Sequence, residues 1–339
     1  MQEKTNILLT GASGNVGREV LHLLMQNHDK YHITVFDKFS KKAQRIFSKY
    51  KGKIRIISGD LSFYKQVEAA SHQIDVVIHL AAIIPPLADD NPKLAERVNV
   101  FGTHNLIKAL QNNSPNAFFL YSSSVAVYGD RLSDPDIKVN DPLNPSIGDE
   151  YAKTKITAEK LIQESKLTYS IFRLSAIMGA KNHSLSKLMF HMPLETIIEI
   201  CSPQDTARAF VHAIEKKDAL QGRVFNLGGG ENSRITYRNF LEKNFKLYGL
   251  GDFNFPDDAF AKKNFHCGNY ADGDDLENIL HFRNDNLDTY EQNLRKAINP
   301  VQFLFTRMLA PIVKQRILKL SEPLKATKEH DLELMGRFF

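Results

Sequence analysis

Tyr151 and Lys155 lie four positions apart in Tyr151-Ala152-Lys153-Thr154-Lys155. On a helix that spacing puts both on one face, about one turn apart. A phenol and an ammonium looking into one cleft can exchange a proton with a substrate oxygen, because a nearby positive charge favours phenolate. Solvated helices carry the same pair, so its meaning depends on its companions. Upstream, Tyr121-Ser122-Ser123-Ser124 follows an apolar run and sets serine hydroxyls at a strand end. Near the N-terminus, Gly11-Ala12-Ser13-Gly14-Asn15-Val16-Gly17 has the glycine spacing of a phosphate-holding turn. Lys153 falls on another helix face and is a decoy.

The elements that must position these groups are legible around them. Residues 6–10 form a short apolar run that predicts a buried strand, and an amphipathic helix follows the glycines to about Met25. Glycine suits a turn where the backbone must bend tightly and admit a pyrophosphate without a Cβ. The helix start then offers free N–H groups and a positive dipole end. The next strand, 31–36, ends at Asp37, placed to accept hydrogen bonds from an adenosine ribose. That carboxylate would repel a 2′-phosphate and favours NAD. Lys38, Lys41 and Lys42 could instead welcome the phosphate, which keeps NADP open. Further strands are expected at 54–57, at 75–79, at 118–121 and at 169–174, with one long helix from Asn91 to about Gln111. His79 reads as a packed strand-end histidine.

Glycine turn, serine triplet and Tyr/Lys pair, in this order, resemble the extended short-chain dehydrogenase/reductases, the NAD-dependent epimerase/dehydratase superfamily. The resemblance is strong over roughly the first half. It implies an α/β fold: a Rossmann-type doubly wound parallel sheet with a smaller, partly interleaved C-terminal substrate domain. Residues 1–178 would bind NAD(P), with 201–228 returning to that sheet, and 179–200 with 229–339 would form the substrate part. By the resemblance, Asp60-Leu61 touches adenine, Leu80-Ala81-Ala82 lies along the cofactor, Asn99 lies near the active site, and Ser122 lies near the cofactor. Asn99 could equally be a satisfied polar group between helix and sheet. The implied reaction is hydride exchange between nicotinamide and a carbon bearing oxygen. Tyr151 is the acid/base, Lys155 lowers its pKa and binds the nicotinamide ribose, and Ser124 holds the reacting oxygen. Tyr128 reads as wall.

Composition narrows the remaining choices. Hydrophobic content of 42% and charged content of 24% are ordinary for a globular enzyme. The net charge of +5, from 44 basic and 39 acidic residues, suits an anionic small molecule and gives no reason for nucleic acid. Two cysteines, Cys201 and Cys267, have no metal-ligand spacing, and His266-Cys267 lacks companion ligands. With no signal-like start and no run of about 18 apolar residues, a cytoplasmic location is expected.

The second half departs from the nucleotide-sugar pattern. Arg173 and Gly179 stand where that pattern has them, but Leu174, Ala176 and Met178 replace its Pro, Asn and Tyr. A strand is expected at 195–200, and a helix from Ser202-Pro203 through Asp205 matches the family's Asp-x-Ala-x-Ala segment. Residues 195–204 contain no Arg or Lys to meet a substrate pyrophosphate. His183, Lys187 or His191 could replace it. The first expectation is therefore an oxidoreductase acting on another alcohol or carbonyl. The second is an epimerase or dehydratase of an activated sugar with bound NAD, and the third a non-catalytic nucleotide sensor or scaffold. In the tail, apolar residues of 301–320 mix with Arg307, Lys314, Arg316 and Lys319. Such a stripe can lie on an anionic membrane surface, although packing on its own protein or a partner subunit is the commoner use. Homodimers are common in the superfamily.

Overall fold

Parallel strands buried on both faces read as continuous apolar runs, and the chain builds its sheet from such runs. In a computed structural model, which describes residues 3–180 and 186–339, the sheet strands are β1 (Thr5–Thr10), β2 (Tyr31–Asp37), β3 (Arg55–Ser58), β4 (Val76–His79), β5 (Phe118–Ser124) and β6 (Thr168–Leu174). After β7 (Ile197–Cys201), which lies in a separate small sheet, β8 (Arg223–Leu227) returns beside β6. The seven strands stand in the order β8-β6-β5-β4-β1-β2-β3, and their neighbours pair in parallel. The order reverses beside β1, where ligands of open α/β sheets bind.

Helix α1 (Asn15–Gln26) packs with α4 (Pro203–His212) on one face, while α2 (Gly102–Asn113) and α3 (Glu150–Gln163) cover the other. Each fully buried side chain, such as Phe172 against Phe210 with ring centroids 5.1 Å apart, contributes roughly 1.5–3 kcal/mol. The helix expected from Asn91 is interrupted by a π-helical turn, Glu96–Phe101, between Pro92–Ala95 and α2. Asn99 sits in that turn, and its amide reaches out of the helix. A smaller three-stranded sheet of Arg234–Thr236, β7 and Ala176–Ile177 lies outside the main sheet. A third core, around Phe190, Phe245, Phe255, Phe260 and Ile317, ties it to the C-terminal helices. Those helices are α5 (Leu287–Ala297), α6 (Pro300–Met308), α7 (Ala310–Leu318), α8 (Glu322–Glu329) and α9 (Leu332–Phe338). His183 and Leu185 lie outside the described residues.

Candidate active site

Register brings the candidate residues to one edge. Thr10 pairs with Phe36 and with His79, and Ser124 with Leu174, so β1, β2, β4 and β5 deliver their ends side by side. Gly11 has φ +72°, and a Cβ there would lie 2.7 Å from the Ala81 nitrogen. A Cβ on Gly17 would strike the Gly11 carbonyl. Both positions therefore need glycine to bring turn, helix and β4 loop together. The turn opens a cleft of about 200 Å3 lined by Gly11, Ser13, Gly14, Asp37, Asp60 and Leu61, with Leu80, Ala81 and Ala82 on the opposite wall. Asp37 accepts the backbone N–H groups of Ser13 and Lys38 at 2.7 and 2.8 Å. Lys38, one of the three lysines expected to compete for a 2′-phosphate, pairs with Asp60 at 2.9 Å; Lys41 and Lys42 open the next helix, on its exposed side.

The other predicted cofactor residues lie elsewhere. Asn15 faces a second, wider cleft, Val16 packs against the core, and Gly17 is buried in α1. Asn99 is buried and fully used: it accepts from Ile83 N–H at 2.7 Å and donates to the Ile83 carbonyl and to Thr154 Oγ1. It thus pins the loop after β4 to α3. Ser122 turns its hydroxyl to the His79 carbonyl, while its own carbonyl accepts from Lys155 Nζ at 2.6 Å.

Asp149 caps α3 by accepting from Ala152 N–H at 2.8 Å, which fixes the helix start two residues before Tyr151. Ser124 stands close enough to the Tyr151 phenol to favour its ionised form, while its own hydroxyl oxygen accepts from Ala126 N–H at 3.2 Å. Lys155 Nζ stands 5.6 Å from the Tyr151 ring centroid and 4.6 Å from that of Tyr121. Burial raises the phenol above its ordinary value, the Ser124 contact pulls it back, and Asp149 pushes it further up. Lys155, 2% exposed, is pushed down to about 7 by burial, against the opposing charge of Glu159. Without cofactor, then, the tyrosine is held protonated and the lysine is poised near neutrality. Lys153 pairs with Glu150 at 2.7 Å on the exposed face.

Glu159, one turn beyond Lys155, is itself buried. It takes two hydrogen bonds from Arg173, at 3.0 and 2.7 Å, and one from Ser123. Arg173 continues to Tyr128 at 2.7 Å, and Tyr128 to Asn226 at 2.8 Å. Breaking such a buried pair costs about 3–5 kcal/mol. The network locks β5, β6 and α3 together beneath the reactive groups.

The model of the NAD dependent epimerase/dehydratase family matches residues 7–228. The chain belongs to that family. Among curated proteins it is similar to dTDP-glucose 4,6-dehydratase of Mycolicibacterium smegmatis, 29% identical over 171 residues, covering 49% of this chain and 50% of that protein. The namesake enzyme of Mycobacterium tuberculosis is 27% identical over 169 residues, with 49% and 50% covered. The chain thus spans about half the length of the curated relatives it matches. Two solved structures share the fold. One is UDP-glucuronic acid 4-epimerase from Bacillus cereus, in complex with UDP-glucuronic acid and NAD (TM-score 0.73, 20% identity, 86% of this chain and 98% of that one). The other is UDP-N-acetylglucosamine 4-epimerase from Methanobrevibacter ruminantium (TM-score 0.70, 20% identity, 91% and 100% covered). Family membership agrees with the expected fold and with NAD as cofactor. The glycine cradle and the Asp37 carboxylate fit a dinucleotide.

Three features of this family member escape a sequence reading. His266 joins Asp149 at 2.5 Å, beside the start of α3. Burial works against its charge, but Asp149 prevails and its pKa is raised. The two residues are 117 positions apart and share no local motif. Lys187 and His191, offered as replacement cations, are already paired: Lys187 with Asp90 and Glu322, and His191 with Glu322 at 2.7 Å. The wider cleft, about 620 Å3, draws on Arg18, Gly179, Ser202, Arg208, Asp285 and Lys296. Arg208 is bracketed by Asp205 and Asp285. Arg18 and Lys296 have no ion-pair partner among the described residues.

Proposed function

We propose that the protein is an NAD-dependent enzyme moving hydride at a carbon that bears a hydroxyl or carbonyl, with Tyr151 as acid/base. The observation that carries this reading is the convergence of Ser124, Tyr151 and Lys155 at the strand ends, beside the glycine-walled cleft. Bound NAD supplies the hydride acceptor and, when oxidised, a positive ring charge that favours phenolate. Tyr151 takes the substrate hydroxyl proton as the carbon is oxidised and returns it in the reverse direction. Ser124 holds the same oxygen. Lys155, anchored on the Ser122 carbonyl, lends positive charge beneath the phenol and reaches toward the nicotinamide ribose.

In this reading Gly11, Ser13, Gly14 and the first turn of α1, Asn15 to Gly17, hold the pyrophosphate. Asp37 binds the ribose, Asp60 and Leu61 flank adenine, and Leu80 to Ala82, Asn99 and Ser122 border the path to Tyr151. NAD is favoured over NADP because Asp37 faces the cleft, Lys38 is paired, and Lys41 and Lys42 are not among the residues that line it. The small-molecule substrate occupies the wider cleft, between residues 1–178 with 201–228 and residues 179–200 with 229–339. The buried free thiols of Cys201 and Cys267 support a reducing, cytoplasmic setting, and no helix among the described residues is long and apolar enough to cross a membrane.

The second reading, a nucleotide-sugar epimerase or dehydratase that keeps its NAD, gains from the unpaired Arg18 and Lys296 at the wider cleft. They supply the cationic character that residues 195–204 lack. The names of the relatives point the same way. One experiment tests both. Protein loaded with NAD or NADP is dialysed and denatured and the retained nucleotide measured; it is then assayed on nucleotide sugars and on simple alcohols and ketones. Retained NAD with sugar turnover selects the second reading; exchangeable NAD with alcohol or ketone turnover selects the first. Tyr151→Phe should keep cofactor and lose turnover by about 10²–10⁴-fold. Full activity in that variant would sink the mechanism.

A further inference from the structure

Surface helices ordinarily turn their apolar stripe inward. Helix α6 does the reverse: none of its residues is buried. Val301, Leu304, Phe305 and Met308 are 61%, 57%, 59% and 69% exposed. Their spacing puts them on one helix face. Leu309 and Ile312, 48% and 53% exposed, carry the apolar surface on into α7. Four and seven positions beyond Ile312 come Arg316 and Lys319, both exposed, so the stripe passes from apolar to basic. The opposite side is anchored. Phe303 packs toward Gly249, and Ile317 is buried in the third core. Lys314 is spent on the Asp252 carbonyl and on Asn254, at 2.7 and 2.8 Å. The outward apolar face is therefore fixed by the fold.

Charge decides what covers it. Residues 300–320 contain four cations and no Asp or Glu. Arg307, Arg316 and Lys319 have no ion-pair partner among the described residues. A second copy docking by twofold symmetry would set this patch against itself. It would crowd those cations together with no carboxylate in the segment to offset them. An anionic lipid surface offers the reverse: apolar depth for the stripe and negative headgroups for its basic flank. We propose that the α6–α7 face docks on the surface of an anionic lipid bilayer, lying in the plane of the interface. This inference is independent of the reaction proposed above.

The test is co-sedimentation of the full chain with vesicles of phosphatidylcholine mixed with phosphatidylserine, and with vesicles of phosphatidylcholine alone. Each basic residue near an anionic surface is worth roughly fivefold in binding, so three predict a preference on the order of a hundredfold for the anionic vesicles. That preference should fall as salt is raised. Replacing Leu304, Phe305 and Met308 together by Glu should abolish binding while leaving the circular dichroism spectrum and melting temperature unchanged. A second variant, R307Q with R316Q and K319Q, should keep the fold and lose the preference. Equal binding to both vesicle types, or binding unchanged in the triple-Glu protein, would overturn the proposal. So would a dimer in light scattering that the triple-Glu change dissociates, which would assign the face to a second copy.

Discussion

Two clefts draw on the start of α1, Gly14 in one and Asn15 in the other, and they are built in opposite ways. The narrow one, about 200 Å3, is walled largely by backbone and small residues from four successive strand ends: the glycine turn after β1, Asp37 of β2, Gly59 and Asp60 after β3, and the loop after β4. The wide one, about 620 Å3, gathers side chains from α1, β7, α4, the Asp285 loop and α5. A wall made of backbone leaves little freedom in what it accepts, whereas a wall of long polar side chains can be rewritten one residue at a time. The first suits a ligand common to a whole family, the second a ligand particular to one member. In the proposed function, Tyr151 with Ser124 and Lys155 is the reacting centre at which the two ligands meet.

If the contrast is right, the largest effect belongs to the backbone-walled cleft. Gly11→Val adds a Cβ against the Ala81 backbone at a position with φ +72°. Strain of ~1–3 kcal/mol should weaken NAD binding by up to about a hundredfold. Titration of the folded variant by NADH fluorescence checks this, and unchanged affinity would break the comparison.

At Lys155 the effect is on stability. Burial holds Lys155 down to about 7, whereas in the unfolded chain it titrates near ~10.4. Between these values the unfolded state binds more protons, so cofactor-free protein should gain stability from this group as pH rises from about 7 toward 10.4. Lys155→Met should therefore melt highest relative to the parent below pH ~7 and lose that advantage with rising pH. Calorimetry on both proteins reads the difference; an advantage that grows with pH would contradict the burial argument. The smallest effect lies at the rim of the wide cleft. Lys296→Ala should raise KM for an anionic substrate by about two- to fivefold, as for an exposed ion pair. Neither kcat nor NAD binding should change, and steady-state kinetics with a parallel NAD titration would show it.

The same contrast explains what the sequence could disclose. The glycine turn, Asp37 and the Tyr151/Lys155 spacing are local signals, each written within a few residues and tied to one backbone geometry. Asn99 was readable as a polar group near helix and sheet, but its grip on Ile83 and Thr154 depends on a π-helical turn that no local pattern announced. His266 reaches Asp149 only because the chain folds back over more than a hundred positions. Residues 195–204 hold no Arg or Lys, whereas Arg18 and Lys296, which line the wide cleft, come from near opposite ends of the chain. Tertiary packing assembled that cleft, so its composition was not legible before the fold.

The path of the chain between its seven-stranded and three-stranded sheets has a consequence for modularity. The chain leaves the main sheet after Leu174, comes back after Cys201 to lay α4 and β8 onto it, and leaves again after Leu227. No single cut separates the residues of the main sheet from those of the smaller one. A fragment ending at residue 178 would lose the edge strand β8, and Phe172 would lose its partner Phe210. A chimera exchanging everything outside the main sheet beyond Leu174 would have to graft two separate segments at once. Such a protein changes its ligand more readily by substitution within loops than by trading whole segments with a neighbour.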